Sequence, residues 1–118
     1  MITLKLYVAS SLLVEGGILL GGSGDIYKYT YATNKLEPLY YAKDPAYYVP
    51  FWEMVRYDDE HILLNSCWNG IYSFNIKTHE LKKVDAFTGK SYTTIFLDSH
   101  KRLWVSVYGS GLYCYQEG

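Results

Sequence analysis

Hydrophobic residues in this chain occur in short runs separated by small polar turns, and the same unit of run and turn occurs three times. Each unit contains an apolar run, a turn that includes Gly, and then the pattern Ile/Leu-Tyr-x-Tyr/Phe. The first tyrosine of that pattern is Tyr27, Tyr72 or Tyr113, so the units repeat after 45 and 41 residues. A period of roughly 40–45 residues with four short strands per unit is typical of a β-propeller blade.

The repeat also predicts where the strands of each unit lie. The second strand is expected near Ile18–Gly21, Ile62–Ser66 and Leu103–Val107, and a turn and a third strand follow it. A polar Thr-x-x-Leu turn and a fourth strand continue the first two units, whereas the third unit has no sequence for a fourth strand. Residues 51–57 could pass for a short helix, but the repeat places a first strand there. The predicted fold is all-β, with about three four-stranded antiparallel blades that form half a propeller or a propeller fragment.

The number of blades is small for a closed ring. We expect one propeller segment over residues 1–118, with blades at roughly 9–40, 52–85 and 92–118 and with residues 1–8 as a possible closing strand. Propellers usually close with about 4 to 8 blades, so three blades leave two blade faces and some strand edges open. Two accounts remain. Either Ile2–Tyr7 pairs beside Gly111–Tyr115 of a second copy in a dimer that closes a six-bladed ring, or the chain is part of a longer sensor.

Residues 95–113 resemble the two-component regulator propeller repeat, which reads roughly Ile-x-x-Asp-x-x-Gly-x-Leu-Trp-Ile/Val-Gly-Thr-x-x-x-Gly-Leu-Tyr. Asp98, Leu103-Trp104 and Gly111-Leu112-Tyr113 match that repeat. Lys101 or Arg102 stands where Gly is usual, and the other two units match in part. The resemblance implies the periplasmic sensor region of a hybrid two-component regulator, although the N-terminus carries no clear signal peptide, and it implies a carbohydrate as ligand.

Composition narrows the function classes. The formal net charge is −1, with 11 Lys and Arg and 12 Asp and Glu scattered along the chain, whereas nucleic-acid binding needs a basic patch or stripe. No apolar run approaches the roughly 18 residues of a membrane-spanning helix. Cys67 and Cys114 occupy different positions in their units, so they predict two free thiols, no disulfide framework and no metal site. We expect no cofactor, no nucleic-acid partner and no membrane segment.

The candidate binding face carries the turns between second and third strands and the loops between blades. Aromatic rings there offer flat apolar surfaces to sugar C–H groups, while amides and hydroxyls match sugar hydroxyls. The candidate ligand-binding residues are Trp68, Asn69, Tyr108, Tyr47 and Tyr48. The other interpretation is a structural or protein-interaction propeller segment with no small ligand.

Catalysis is not expected from this sequence. His61, His79 and His100 are assigned to turns on the opposite face, and they are not expected to converge. Asp58 and Asp98 are assigned to the same repeat position, where each caps a turn. No nucleophile–base pair or phosphate-binding loop is visible, so we predict a binding protein and not an enzyme.

Overall fold

The computed structural model describes residues 7–41, 50–87 and 91–115. In these ranges eleven strands form three antiparallel sheets, and no α-helix occurs. Blade 1 contains β1 (Ser10–Val14), β2 (Gly17–Gly21), β3 (Ile26–Thr30) and β4 (Lys35–Tyr40). Blade 2 contains β5 (Glu53–Arg56), β6 (His61–Asn65), β7 (Ile71–Asn75) and β8 (Leu81–Lys83). Blade 3 contains β9 (Tyr92–Leu97), β10 (Leu103–Val107) and β11 (Gly111–Tyr115).

The strands of each blade are paired in chain order, as expected of a propeller. The first strands of the blades, β1, β5 and β9, lie side by side, as strands around a central channel do. The predicted all-β propeller fold is therefore confirmed, and residues 53–56 form a strand and not a helix. Residues 1–6 of the predicted closing strand and residues 42–49 between blades 1 and 2 lie outside the described residues.

Strand register places the three repeat tyrosines at equivalent positions. The second-strand residues opposite Tyr27, Tyr72 and Tyr113 are Leu20, Leu64 and Val105. This register also makes Ile18, Ile62 and Leu103 equivalent, as well as Leu19, Leu63 and Trp104. The threefold repeat read from the sequence is thus a repeat of backbone pairing.

Two hydrophobic clusters hold the blades together. One lies between blades 1 and 2 and includes Ile62 and Phe74, which are both fully buried. The other lies between blades 2 and 3 and includes Leu63 and Val105. Because side chains alternate along a strand, neighbouring residues of β6 enter opposite clusters. The middle blade therefore buries both of its faces, whereas blades 1 and 3 bury one each.

A polar contact also joins blades 2 and 3. The Glu53 carboxylate accepts hydrogen bonds from the Asn65 amide at 2.9 Å and from the backbone N–H of Ile95 at 3.0 Å. The Thr94 hydroxyl donates to the same carboxylate at 2.9 Å. Asn65 is completely buried, so its amide depends on this partner. Glu53 consequently fixes the first strand of one blade against that of the next.

The predicted turn caps are correct, but their predicted equivalence is wrong. The pairs that close the two turns are Arg56 with Ile62 and Leu97 with Leu103. Asp58 is two residues after Arg56, whereas Asp98 directly follows Leu97. Both positions can cap a turn because each carboxylate reaches backbone N–H groups two to four residues ahead. A turn can be capped from either position, so the cap can shift by one residue. Strand register cannot shift in this way, because a slip of one residue would move every side chain to the other face of the sheet.

Candidate functional site

A cleft of about 280 Å³ lies between blades 2 and 3. Its polar lining residues come from the turns between the first and second strands of both blades and from strands β6 and β7. The cleft is lined by Tyr57, Asp58, His61, Ser73 and Lys101 and, on its apolar side, by Leu63, Val84, Phe87, Leu103 and Tyr115. We call this space the interblade cleft. Its mixture of an apolar side and several polar groups is typical of a small-molecule site.

Asp58 and His61 form a hydrogen-bonded pair at the interblade cleft. The Asp58 carboxylate accepts backbone N–H groups from Glu60 at 2.9 Å and His61 at 2.7 Å. It also lies 2.9 Å from Nδ1 of the His61 ring. The N–H of Glu60, with help from His61, holds the pKa of Asp58 below its ordinary value. The carboxylate is therefore charged at neutral pH, and the pair orients the His61 ring so that Nε2 points away from it.

The polar lining extends from this pair toward the outer strands of blade 2. Ser73 lies opposite Leu63 in β7 and is half-buried. His61 and Ser73 also line a smaller neighbouring space of about 100 Å³, together with Asn75, Glu80 and Lys82. Further hydrogen-bonding groups of β7, β8 and the turn between them therefore lie beside the interblade cleft.

Lys101 brings the turn of blade 3 to the same opening. Its Nζ lies 5.9 Å from the centre of the Tyr57 ring, in a cation–π contact between the two blades. Lys101 has a φ of +59°, in the left-handed region that favours Gly. In this chain the strained position presents a cation to the interblade cleft.

The apolar side of the interblade cleft depends on a short 3-10 helix, Asp85–Phe87, in the connection between blades 2 and 3. The Phe87 ring makes edge contacts with Tyr92 at 5.7 Å and Tyr115 at 5.1 Å between ring centres. Gly70 permits this placement, since a Cβ there would lie 2.5 Å from the Phe87 carbonyl oxygen. Phe87 is buried, so it forms a fixed apolar wall.

The predicted ligand-binding residues in the described part of the chain belong to turns outside the interblade cleft. Trp68 and Asn69 belong to a 3-10 helix, Cys67–Asn69, between the second and third strands of blade 2. Tyr108 is in the equivalent turn of blade 3 and is 76% exposed. Tyr47 and Tyr48 lie outside the described residues. The proposed binding role of these five residues therefore stays a prediction.

The three histidines have different environments. His61 is the first residue of β6 and not a turn residue as predicted, because it pairs with Asn75 of β7. The His79 ring stacks on Phe74 with 6.2 Å between ring centres, and His100 lies in the exposed turn of blade 3. Among the described residues, no group of three or more His, Cys, Asp or Glu side chains could hold a metal ion. No helix in the described part of the chain is long and apolar enough to cross a membrane.

Sequence reasoning missed the interblade cleft. Asp58 and His61 were visible as turn residues, but their meeting with Lys101 depends on the packing of two blades. The available signal was the pair of polar turns at the same end of neighbouring blades. The sequence predicts these turns only as caps, and it does not show that their side chains line one cleft.

Comparison with known proteins supports the fold alone. No protein-family model matches the chain, and no curated protein matches it in sequence. Among solved structures, it is similar to virginiamycin B lyase from Staphylococcus aureus, with a TM-score of 0.65 and 12% identity. The likeness covers 94% of this chain and 41% of that chain, so this chain spans less than half of the lyase's length. That protein has a propeller-type fold, which agrees with the three blades.

Proposed function

We propose that this chain is the ligand-binding part of a β-propeller and that its ligand is a carbohydrate fragment held in the interblade cleft. The observation that carries this proposal is the combination of aromatic walls and a charged, hydrogen-bonding opening in one space. Tyr57, Phe87 and Tyr115 supply rings, and Asp58, His61 and Ser73 supply polar groups. Sugars present C–H surfaces, which pack on aromatic rings, and hydroxyls, which hydrogen-bond to polar groups.

Each polar group has a defined role in this proposal. Asp58 is ionised and accepts a hydrogen bond from a sugar hydroxyl, which is stronger than a bond to a neutral acceptor. Nε2 of His61 and the Ser73 hydroxyl contact neighbouring hydroxyls. A volume of about 280 Å³ is near the lower end for ligand pockets, so we propose that the ligand inserts a small part, such as one terminal ring.

The proposed cellular role is that of a periplasmic sensor segment of a two-component regulator. Its support is the repeat in blade 3, in which the indole N–H of Trp104 donates to Asp98 at 3.0 Å. The Asp and Trp of the repeat are thus hydrogen-bonded to each other in this chain. Binding, and not catalysis, is proposed because recognition alone accounts for the groups of the interblade cleft.

The experiment screens an oligosaccharide panel by thermal shift and then measures affinities by calorimetry. His61→Ala should weaken binding roughly tenfold or more, because a hydrogen bond in a partly buried site is lost. Ser73→Ala should have a smaller effect in the same direction. Tyr108→Ala and Trp68→Ala, on the other face, are the matched controls and should bind as the wild type does.

The opposite pattern of affinities would contradict the interblade cleft as the binding site. Loss of binding in Trp68→Ala or Tyr108→Ala with His61→Ala unchanged would transfer the site to the face of Trp68, Asn69, Tyr108, Tyr47 and Tyr48. If no oligosaccharide binds the folded wild type, the carbohydrate proposal fails. The structural or protein-interaction alternative would then be the better account.

A further inference from the structure

The face of blade 1 that points away from blade 2 is apolar. In β2, Leu19 is buried against blade 2, so Ile18 and Leu20 project to the other side. Tyr29 and Tyr27 lie opposite them on β3. Nothing in the described part of the chain covers this surface as a blade would, and Ile18 and Leu20 are only half-buried. We call it the open face of blade 1.

The same positions are buried where a neighbouring blade is present. The equivalents of Ile18 and Leu20 in blade 2 are Ile62 and Leu64, which have no exposed surface. Their equivalents in blade 3 are Leu103 at 4% and Val105 at 2% exposure. The open face of blade 1 therefore has the composition of an interblade contact.

Blade 3 presents the complementary surface. Trp104, Leu112 and Cys114 lie on the side of this blade that points away from blade 2. Leu112 is 58% exposed, whereas its equivalents Ile26 and Ile71 are completely buried against the next blade. We call this surface the open face of blade 3.

We infer that the open face of blade 3 docks the open face of blade 1 of a second copy, so that two chains close a six-bladed ring. The argument is continuity: each chain carries both halves of an interface that it already forms twice within itself. Two copies together supply six blades, which is within the roughly 4 to 8 blades of closed propellers. Contiguous exposed apolar surfaces often mark interaction sites.

The occupant is a second copy because one sequence supplies both faces in the correct order. The ring contains two identical contacts, each between blade 3 of one chain and blade 1 of the other. Such head-to-tail contacts form a closed assembly when the rotation closes. The pairing of residues 2–7 with β11 of the partner stays a prediction, and the docking of the two faces does not depend on it.

The test measures mass in solution by light scattering and analytical ultracentrifugation. The wild type should have twice the 13.6 kDa mass of one chain. Leu20→Lys alters the open face of blade 1, and Leu112→Glu alters the open face of blade 3. Each variant should have the mass of a monomer and should be folded by circular dichroism. Lys82→Glu, at an exposed site in blade 2, is the charge control and should stay a dimer.

Mixing the two monomeric variants distinguishes head-to-tail docking from a symmetric contact. The Leu20→Lys chain keeps its blade 3 face, and the Leu112→Glu chain keeps its blade 1 face. Their mixture has one unaltered contact and one contact between opposite charges, so it should return to dimer mass. A mixture that stays monomeric would contradict head-to-tail docking.

Labelling of Cys114 gives an independent measurement. This thiol is exposed in the single chain and lies beside Trp104 on the docking face. It should react several-fold more slowly in the wild type than in Leu112→Glu. Equal rates, a monomeric wild type, or an open series of larger species would each overturn the two-chain ring.

Discussion

The two interblade contacts of this chain are built on one repeat but are chemically different. Between blades 1 and 2, Phe74 is completely buried and has Tyr40 at its edge, with 6.4 Å between ring centres. Between blades 2 and 3, the equivalent residue is Tyr115, which is 42% exposed and contacts Phe87. Phe74 is therefore sealed inside the first contact, whereas Tyr115 lines the interblade cleft in the second.

Charged residues also line a wider space of about 680 Å³ between blades 1 and 2. Its lining includes Glu15, Lys28 and Arg56 but no aromatic residue. The interblade cleft between blades 2 and 3 is smaller and has three rings. The comparison shows that the repeat supplies the packing, whereas departures from the repeat supply the candidate site.

The largest predicted effect breaks the apolar contact. Phe74→Ala should lower the free energy of unfolding by about 3–5 kcal/mol, because a fully buried ring is replaced by a cavity. Tyr115→Ala, at the equivalent position of blade 3, should cost clearly less. Chemical denaturation of both variants tests this order, and equal losses would contradict the difference between the two contacts.

A smaller effect is expected when the polar contact between blades 2 and 3 is broken. Glu53→Ala leaves the buried Asn65 amide without its carboxylate partner, so the free energy of unfolding should fall by about 1–3 kcal/mol. Glu53→Gln keeps an acceptor oxygen and should lose less. If Glu53→Ala unfolds at the same denaturant concentration as the wild type, the carboxylate does not hold the two blades together.

The smallest effect concerns pH and the capped turn of blade 3. The Trp104 indole N–H, aided by Arg102, holds the pKa of Asp98 well below its usual range. As pH falls below the ordinary aspartate value of about 3.9, protons bind the unfolded chain more readily than the folded one. Stability should therefore be fully present above that value and be lost progressively below it.

Asp98→Asn removes this titration, so its stability should depend less steeply on pH between about 4 and 2 than that of the wild type. Urea denaturation at several pH values measures the slope. An unchanged slope would show that the turn of blade 3 does not contribute in this way.

Much of the fold could be predicted because its signals are local. The apolar runs, the Gly-containing turns and the tyrosine register repeat in the sequence, and backbone pairing follows them. The one-residue error at Asp58 and Asp98 arose because several turn positions can cap equally well.

The interblade cleft could not be predicted in the same way. Asp58 and Lys101 are distant in sequence, and they meet only because blade 3 packs on blade 2. Phe87 belongs to a connection that was expected to be a simple loop, and its wall position depends on the close approach to Gly70. Such contacts between blades have no periodic signal in a single sequence.

The most direct test of the carbohydrate proposal is histidine-selective NMR during titration with the best-binding oligosaccharide. The chain has three histidines, and only His61 lines the interblade cleft. We predict that the ring signals of His61 shift with saturation while those of His79 and His100 stay in place. Saturable binding that leaves the His61 signals unmoved would contradict the interblade cleft as the binding site.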